Sequence, residues 1–153
     1  IRDSLYVADG YGNKRIAVFD RTGKFLRQWG RQATVEETRA GTGGAFTYAL
    51  HCVVISKEGL IYVCDREGLR IQVFDKVGNF VRNIWVKTGN AALPDSRGTV
   101  WGIAFSPDEK QQYLYVLDGR QTEADPVARW RKIQRAAVYV RWQHLDLHSA
   151  TLI

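Results

Sequence analysis

The sequence predicts an all-β fold of the propeller type, incomplete, with about two complete four-stranded blades, part of a third, and an irregular or helical C-terminal tail. Three observations carry this expectation. The stretch LYVADGYGNKRIAVFDRTGKFLRQW (5–29) aligns with IYVCDREGLRIQVFDKVGNFVRNI (61–84). Tyr6 falls on Tyr62, Asp9 on Asp65, Arg15 on Arg70, Phe19 on Phe74, Gly23 on Gly78 and Phe25 on Phe80. A third copy, VWGIAFSPDEKQQYLYVLDG (100–119), aligns with LHCVVISKEGLIYVCDRE, placing Trp101 on His51 and Tyr115 on Tyr62. Finally, the second unit divides into four short β-branched and aromatic runs, HCVVIS, LIYVCD, RIQVFD and FVRNIW. They are separated by turns at Lys57-Glu58-Gly59, Glu67-Gly68 and Lys76-Val77-Gly78.

Taken in order, residue 5 already opens on the second strand of a unit, so the innermost strand of the first blade is missing. The alignment offset changes from 56 to 55 within DGYGNKR, so this turn carries one residue more than its counterpart DREGLR. The polar, Gly-rich stretch 31–50 reads as a solvated insertion between blades, with a loop lining the mouth of the ring as the alternative. The partial propeller occupies 1–119. A blade cannot cover both its faces alone and leans on its neighbours, so the incomplete ring leaves an exposed edge at each end, where self-association is expected. Residues 120–153 depart from the pattern and are read as a basic amphipathic helix from Pro126 to about Trp142, or as disordered or non-native sequence. Trp142-Gln-His-Leu-Asp146 can be encoded by codons that give Gly-Asn-Ile-Trp-Thr one nucleotide later. A frameshift near residue 120 would account for that, and a source DNA whose shifted frame lacked strand-like runs would remove the idea.

Composition excludes several functions. With 45% hydrophobic and 12% aromatic residues in 153, the chain can form one core and is not disordered overall. The net charge is +6, yet residues 120–153 hold six Lys/Arg against three Asp/Glu, leaving 16 against 13 in the remainder. A nucleic-acid partner is therefore not expected. No run approaches the roughly 20 apolar residues of a membrane span. Cys52 and Cys64 lie in apolar strand-like runs without CxxC spacing; buried free thiols are the expected state, with a disulfide as the alternative. The chain starts at Ile1 without Met or a leader pattern, the mark of a fragment or processed product.

Inner strands of a propeller line its channel, and His51 opens such a strand. If Lys57-Glu58-Gly59 closes the hairpin, pairing 56 with 61 sets His51 opposite Arg66. Tyr11 lies one loop position beyond the place of Arg66, at the same end of the ring, so the three can face one another. Imidazole is a good zinc ligand, although catalytic zinc needs about three protein ligands. Arginine clamps a carboxylate with a planar fork, and a phenol beside a cation and a metal can serve as general base. Against these roles stand plainer ones: a hydrogen-bonded core histidine, and an Arg66 salt bridge to Asp65 or Glu67.

GLIYVCDREGLRIQVFDKVGNF resembles the NHL repeat. DGYGNKRIAVFDRTGKFLRQWG, followed by FTYALHCVVIS and YVCDREGLRIQVFD, resembles the propeller of peptidyl-α-hydroxyglycine α-amidating lyases and their bacterial relatives, over roughly residues 4–119. The resemblance implies a six-bladed ring, a zinc held by three histidines from alternate blades, a tyrosine base and substrate-holding arginines. The reaction splits a small-molecule or peptidyl α-hydroxyglycine into peptide amide and glyoxylate. On it, Tyr11 and Arg66 become catalytic residues and His51 one metal ligand. Trp101 in place of the next histidine fits ligands on alternate blades. Secretion or a periplasmic location is slightly favoured by the same likeness. Gly12 stands where the animal enzymes have a disulfide cysteine, and Cys52 and Cys64 do not fall on that family's disulfide positions. His144 and His148 match no ligand position, and two histidines and another arginine would lie outside the matching segment. The chain alone is thus expected to be inactive. A non-catalytic NHL ring binding protein or RNA is the competing function, and only Tyr11, His51 and Arg66 separate the two.

Overall fold

The computed structural model describes residues 4–86, 100–118 and 137–141. Three antiparallel sheets stand in series. The first contains β1 (Ser4–Asp9), β2 (Arg15–Asp20) and β3 (Phe25–Trp29). A connecting segment follows, with β4 (Arg31–Gln32), α1 (Val35–Ala40) and β5 (Ala45–Phe46). The second sheet has all four strands, β6 (Leu50–Ile55), β7 (Ile61–Asp65), β8 (Arg70–Phe74) and β9 (Phe80–Trp85), paired in sequence order. The third holds β10 (Val100–Phe105), β11 (Tyr113–Asp118) and β12 (Ala137–Arg141). This is the blade architecture of an incomplete all-β propeller, and among the described residues only the middle blade has its full four strands.

Alternation along each strand sends one set of side chains to each face of the sheet, and the two faces enter different cores. Tyr6, Ile16 and Val18 of the first blade pack on Ile61, Val63 and Phe74 of the second, joined by Phe46 and Leu50. Tyr62, Cys64, Ile71, Val73 and Ile84, on the opposite face of the second blade, pack on Val100, Leu114 and Val116 of the third.

Three expectations are corrected. Ala137–Arg141 is a strand on β11, with Tyr115 opposite Tyr139, where a helix from Pro126 to about Trp142 is expected. Val138-Tyr139-Val140 is a β-branched and aromatic run, which suits a pleated strand better than a helix. The remainder of the tail, with His144, His148 and the boundary at 119/120, lies outside the described residues. Second, the connecting segment is more than a solvated insertion. Thr34 caps α1 in a reciprocal capping box with Glu37. The Arg31 guanidinium, then the Thr34 N–H, hold the Glu37 carboxyl down to about 2. Beyond α1 the chain turns inward, and Ala45, Phe46, Thr47, Ala49 and Leu50 are buried.

Third, Cys52 and Cys64 form a disulfide. The hairpin pairs Ile55 with Ile61, one residue away from the expected register, and this puts Cys52 directly opposite Cys64 with Cα atoms 4.9 Å apart. Such a spacing suits the bond. It closes a loop with a sequence separation of 12, for which chain entropy gives a stabilisation of about 3 kcal/mol. Urea unfolding of the wild type should therefore shift to lower midpoint on adding a reductant, while the Cys52→Ala, Cys64→Ala double variant should start lower and ignore the reductant. A wild type indifferent to reduction would show that the bond contributes nothing.

Candidate functional site

The site is built from the two equivalent β-turns that follow the second strand of their blades. In the first blade Asp9 ends β1 and accepts from Arg15 Nε at 2.8 Å and from Asn13 Nδ2 at 2.7 Å. The Arg15 guanidinium and, after it, the Asn13 amide hold the Asp9 carboxyl below the usual carboxylate range. Lys14 takes a left-handed conformation with φ of 52°, as does its counterpart Leu69 with φ of 54°. The two turns thus share one backbone device, an Asp clamping the Arg that starts the next strand. The residues between are free to project. Gly10 is required where the first turn meets the start of β6, because a Cβ there would lie 1.8 Å from the Leu50 carbonyl oxygen. That close approach fixes Tyr11, the next residue, above the mouth of the second blade.

Tyr11 is 55% exposed. Arg66 is 9% exposed and points Nη1 at the Tyr11 hydroxyl, 3.5 Å away, which is long for a hydrogen bond. Nη2 donates to Glu67 Oε1 at 3.2 Å, so the expected ion pair is made with Glu67, whereas Asp65 is taken by Arg70. Arg66 Nε is buried and has no acceptor among the described residues. The guanidinium lies over the Trp101 ring at 4.9 Å.

His51 is not opposite Arg66. The register shifts between Leu50 and Cys52, leaving His51 as the additional residue of a bulge, and the Arg66 N–H donates instead to the Ala49 carbonyl at 3.2 Å. The bulge turns His51 toward the same place all the same. Its ring centroid lies 6.1 Å from that of Tyr11 and 5.1 Å from that of Trp101. The structure therefore brings Tyr11, His51 and Arg66 around one spot, with Tyr11 and Trp101 as the groups that both others touch.

Chemistry follows from one contact. His51 Nδ1 sits 2.7 Å from the Trp101 carbonyl oxygen. A carbonyl only accepts, so Nδ1 carries the proton and, in the neutral ring, Nε2 keeps its lone pair. This is how a backbone carbonyl orients a metal-binding imidazole. His51 fits as one ligand of a zinc. Among the described residues no group of three His, Cys, Asp or Glu side chains could complete such a centre. The described residues therefore do not complete a three-ligand centre around His51.

Two neighbours were not foreseen. Tyr48, 45% exposed, meets the Tyr11 ring edge-on at 5.4 Å. Lys14, nearly buried, donates from Nζ to the Tyr11 carbonyl at 2.7 Å and lies over the Tyr48 ring at 4.7 Å. Arg66 approaches the same ring at 5.8 Å. Cation and ring thus alternate from Lys14 through Tyr48 and Arg66 to Trp101, a run that pins the Tyr11 loop from beneath. No helix among the described residues is long and apolar enough to cross a membrane.

The NHL repeat family matches residues 47–74, the stretch from the approach to β6 through the end of β8. The chain is 40% identical over 85 residues, 55% of its length, to peptidyl-glycine alpha-amidating monooxygenase B of Xenopus laevis, and that match covers 9% of the frog protein. It is 29% identical over 121 residues, 79% of its length, to a probable peptidyl-alpha-hydroxyglycine alpha-amidating lyase of Caenorhabditis elegans, covering 32% of that protein. Low-density lipoprotein receptor-related protein 1 of Pyricularia oryzae is 33% identical over 78 residues, 50% of this chain and 25% of the fungal protein. The match thus spans under a tenth of the frog protein and about a third of the worm protein.

Proposed function

We propose, from the premise that this chain carries an NHL repeat and is related over part of its length to the amidating monooxygenases and lyases, that it is a piece of a lyase-type propeller. In the complete ring it would cleave a peptidyl-α-hydroxyglycine to peptide amide and glyoxylate. The observation that carries this reading is the meeting of the exposed Tyr11 hydroxyl with the nearly buried Arg66, beside a His51 whose Nδ1 is held by a carbonyl.

In this reading Tyr11 takes the proton of the α-hydroxyl group. The electron pair left on oxygen by the broken O–H bond forms the second bond of the glyoxylate carbonyl, the C–N bond breaks with its pair going to nitrogen, and a proton returned to that nitrogen completes the amide. Arg66 holds the substrate carboxylate through N–H groups of its guanidinium. A zinc bound at His51 Nε2, with its other ligands from outside the described residues, would act as a Lewis acid toward the substrate oxygens. Trp101 orients His51 through its carbonyl and flanks Arg66 with its ring. The Cys52–Cys64 bond favours an oxidising compartment such as the secretory pathway or periplasm.

The test is glyoxylate release from a synthetic peptidyl-α-hydroxyglycine by the product of the complete reading frame. Tyr11→Phe should lower kcat about 100-fold or more. His51→Ala should lose bound zinc as read by metal analysis. Full activity of Tyr11→Phe would remove the base role, and zinc retained by His51→Ala would remove the ligand role. A folded complete protein with no glyoxylate release would favour the second reading, a non-catalytic NHL ring that binds protein.

A further inference from the structure

The two equivalent turns differ at one buried position. Lys14 and Leu69 each precede the Arg that starts the next strand, in the same left-handed conformation, with φ of 52° and 54°. Both are buried, Leu69 at 3% and Lys14 at 6% exposed. Leucine fills this place in the second blade at no electrostatic cost. In the first blade the chain buries an ammonium there, whose lost hydration has to be offset by contacts.

Those contacts converge on Tyr11. Each turn is closed at the carbonyl three residues back. In the second turn the Leu69 N–H donates to the Arg66 carbonyl at 3.3 Å. In the first, which is one residue longer, Lys14 Nζ donates to the Tyr11 carbonyl at 2.7 Å. The same ammonium lies 4.7 Å from the centre of the Tyr48 ring, and that ring meets Tyr11 edge-on at 5.4 Å. Lys14 thus acts on Tyr11 at two points, on its backbone directly and on its ring through Tyr48. The glycines on either side of Tyr11 are held unequally. Gly10 is wedged against Leu50, whereas a Cβ on Gly12 would meet nothing within 4 Å. On that looser side the charged hydrogen bond from Lys14 fixes the Tyr11 peptide.

We propose, resting on the reading of Tyr11 as the base that accepts the α-hydroxyl proton, that Lys14 is a positioning residue whose buried ammonium sets the Tyr11 phenol against a substrate held by Arg66. It needs no contact with the substrate. The fold has no use for the charge, since Leu69 occupies the equivalent place without one. Catalysis does have a use for it, because a base displaced by an ångström loses much of its rate.

The experiment measures kcat and KM for glyoxylate release by the product of the complete reading frame, together with its urea midpoint. Lys14→Leu installs the residue that the second turn already carries. It should lower kcat about tenfold and leave KM within about twofold, because Arg66 still holds the carboxylate, and the midpoint should not fall. Lys14→Arg keeps a cationic donor and should return kcat to within about threefold of the wild type. In a Tyr11→Phe background Lys14→Leu should change kcat by less than about twofold, since the hydroxyl that it positions is gone. A merely structural lysine would lower kcat equally in both backgrounds. If Lys14→Leu lowers the midpoint, the comparison of backgrounds and the arginine variant still decide, because instability acts on both backgrounds alike. An unchanged kcat in Lys14→Leu, equal losses in the two backgrounds, or a Lys14→Arg variant as slow as Lys14→Leu would each overturn the role of Lys14 and leave the lyase reading standing. No glyoxylate from the wild type, or a fully active Tyr11→Phe, would remove that reading and the role of Lys14 with it.

Discussion

Replacing Arg70 with Met should destabilise the protein by about 3–5 kcal/mol, seen as a fall in the urea midpoint at unchanged slope. Arg70 and Asp65 are fully buried, joined through Nε at 2.8 Å. The pair is hydrogen-bonded by its surroundings at every polar atom but Arg70 Nη1, which is buried with no acceptor among the described residues. Asp65 also accepts from the Thr47 N–H and hydroxyl and from Gln72 Nε2, and Arg70 Nη2 donates to the Ala45 carbonyl at 2.7 Å. Removing the guanidinium leaves a carboxylate in the core without its counter-ion, and the desolvation cost of that charge is no longer offset. Arg15→Met tests the reasoning, since Arg15 and Asp9 make the same 2.8 Å contact about a third exposed. That change should cost under about 1 kcal/mol. Equal losses from the two would show that burial is not what distinguishes them.

Phe46→Ala should cost about 3–5 kcal/mol in the same assay. Phe46 is wholly buried between the first two blades, its ring 5.9 Å from Phe74. It presses on the chain at Gly30, which has φ of 103°, and a Cβ there would lie 2.5 Å from Phe46 Cε2. Truncation empties a space bounded by backbone, which relaxes poorly. A loss below about 0.5 kcal/mol, the value expected of a surface loop, would mean that the segment can leave its site without disturbing the blades.

The blades were legible because alternation and recurrence reinforce each other. Tyr6 and Tyr62 repeat at an offset of 56 and Phe19 and Phe74 at 55, each pair on the same face of its blade. The gathering of Tyr11, His51 and Arg66 was also within reach, since all three lie at strand ends on one side of a repeating unit. What could not be read is what depends on a single residue of register. The bulge at His51 leaves no mark in composition, yet it changes which residue faces Arg66. The one-residue shift in the hairpin brings Cys52 onto Cys64, and without it neither cysteine has a partner. Phe46 was hidden by its polar, Gly-rich surroundings, although Thr34 and Glu37 carry the spacing of a helix start just before it. Tyr48 and Lys14 reach the site by long side chains from positions whose pattern is that of an ordinary loop and turn. In the tail, the basic residues drew attention away from Val138-Tyr139-Val140.

The connecting segment has a consequence for where one module ends and the next begins. Ala45 and Thr42 supply carbonyls to Arg70, Thr47 supplies donors to Asp65, and Gly44 donates its N–H to the Gln72 side chain. These residues precede the second blade in the chain but complete its interior. The natural cut for exchanging, shortening or duplicating repeats therefore falls before Arg31, ahead of the linker, and a blade transplanted from Leu50 onward would arrive without its own lid.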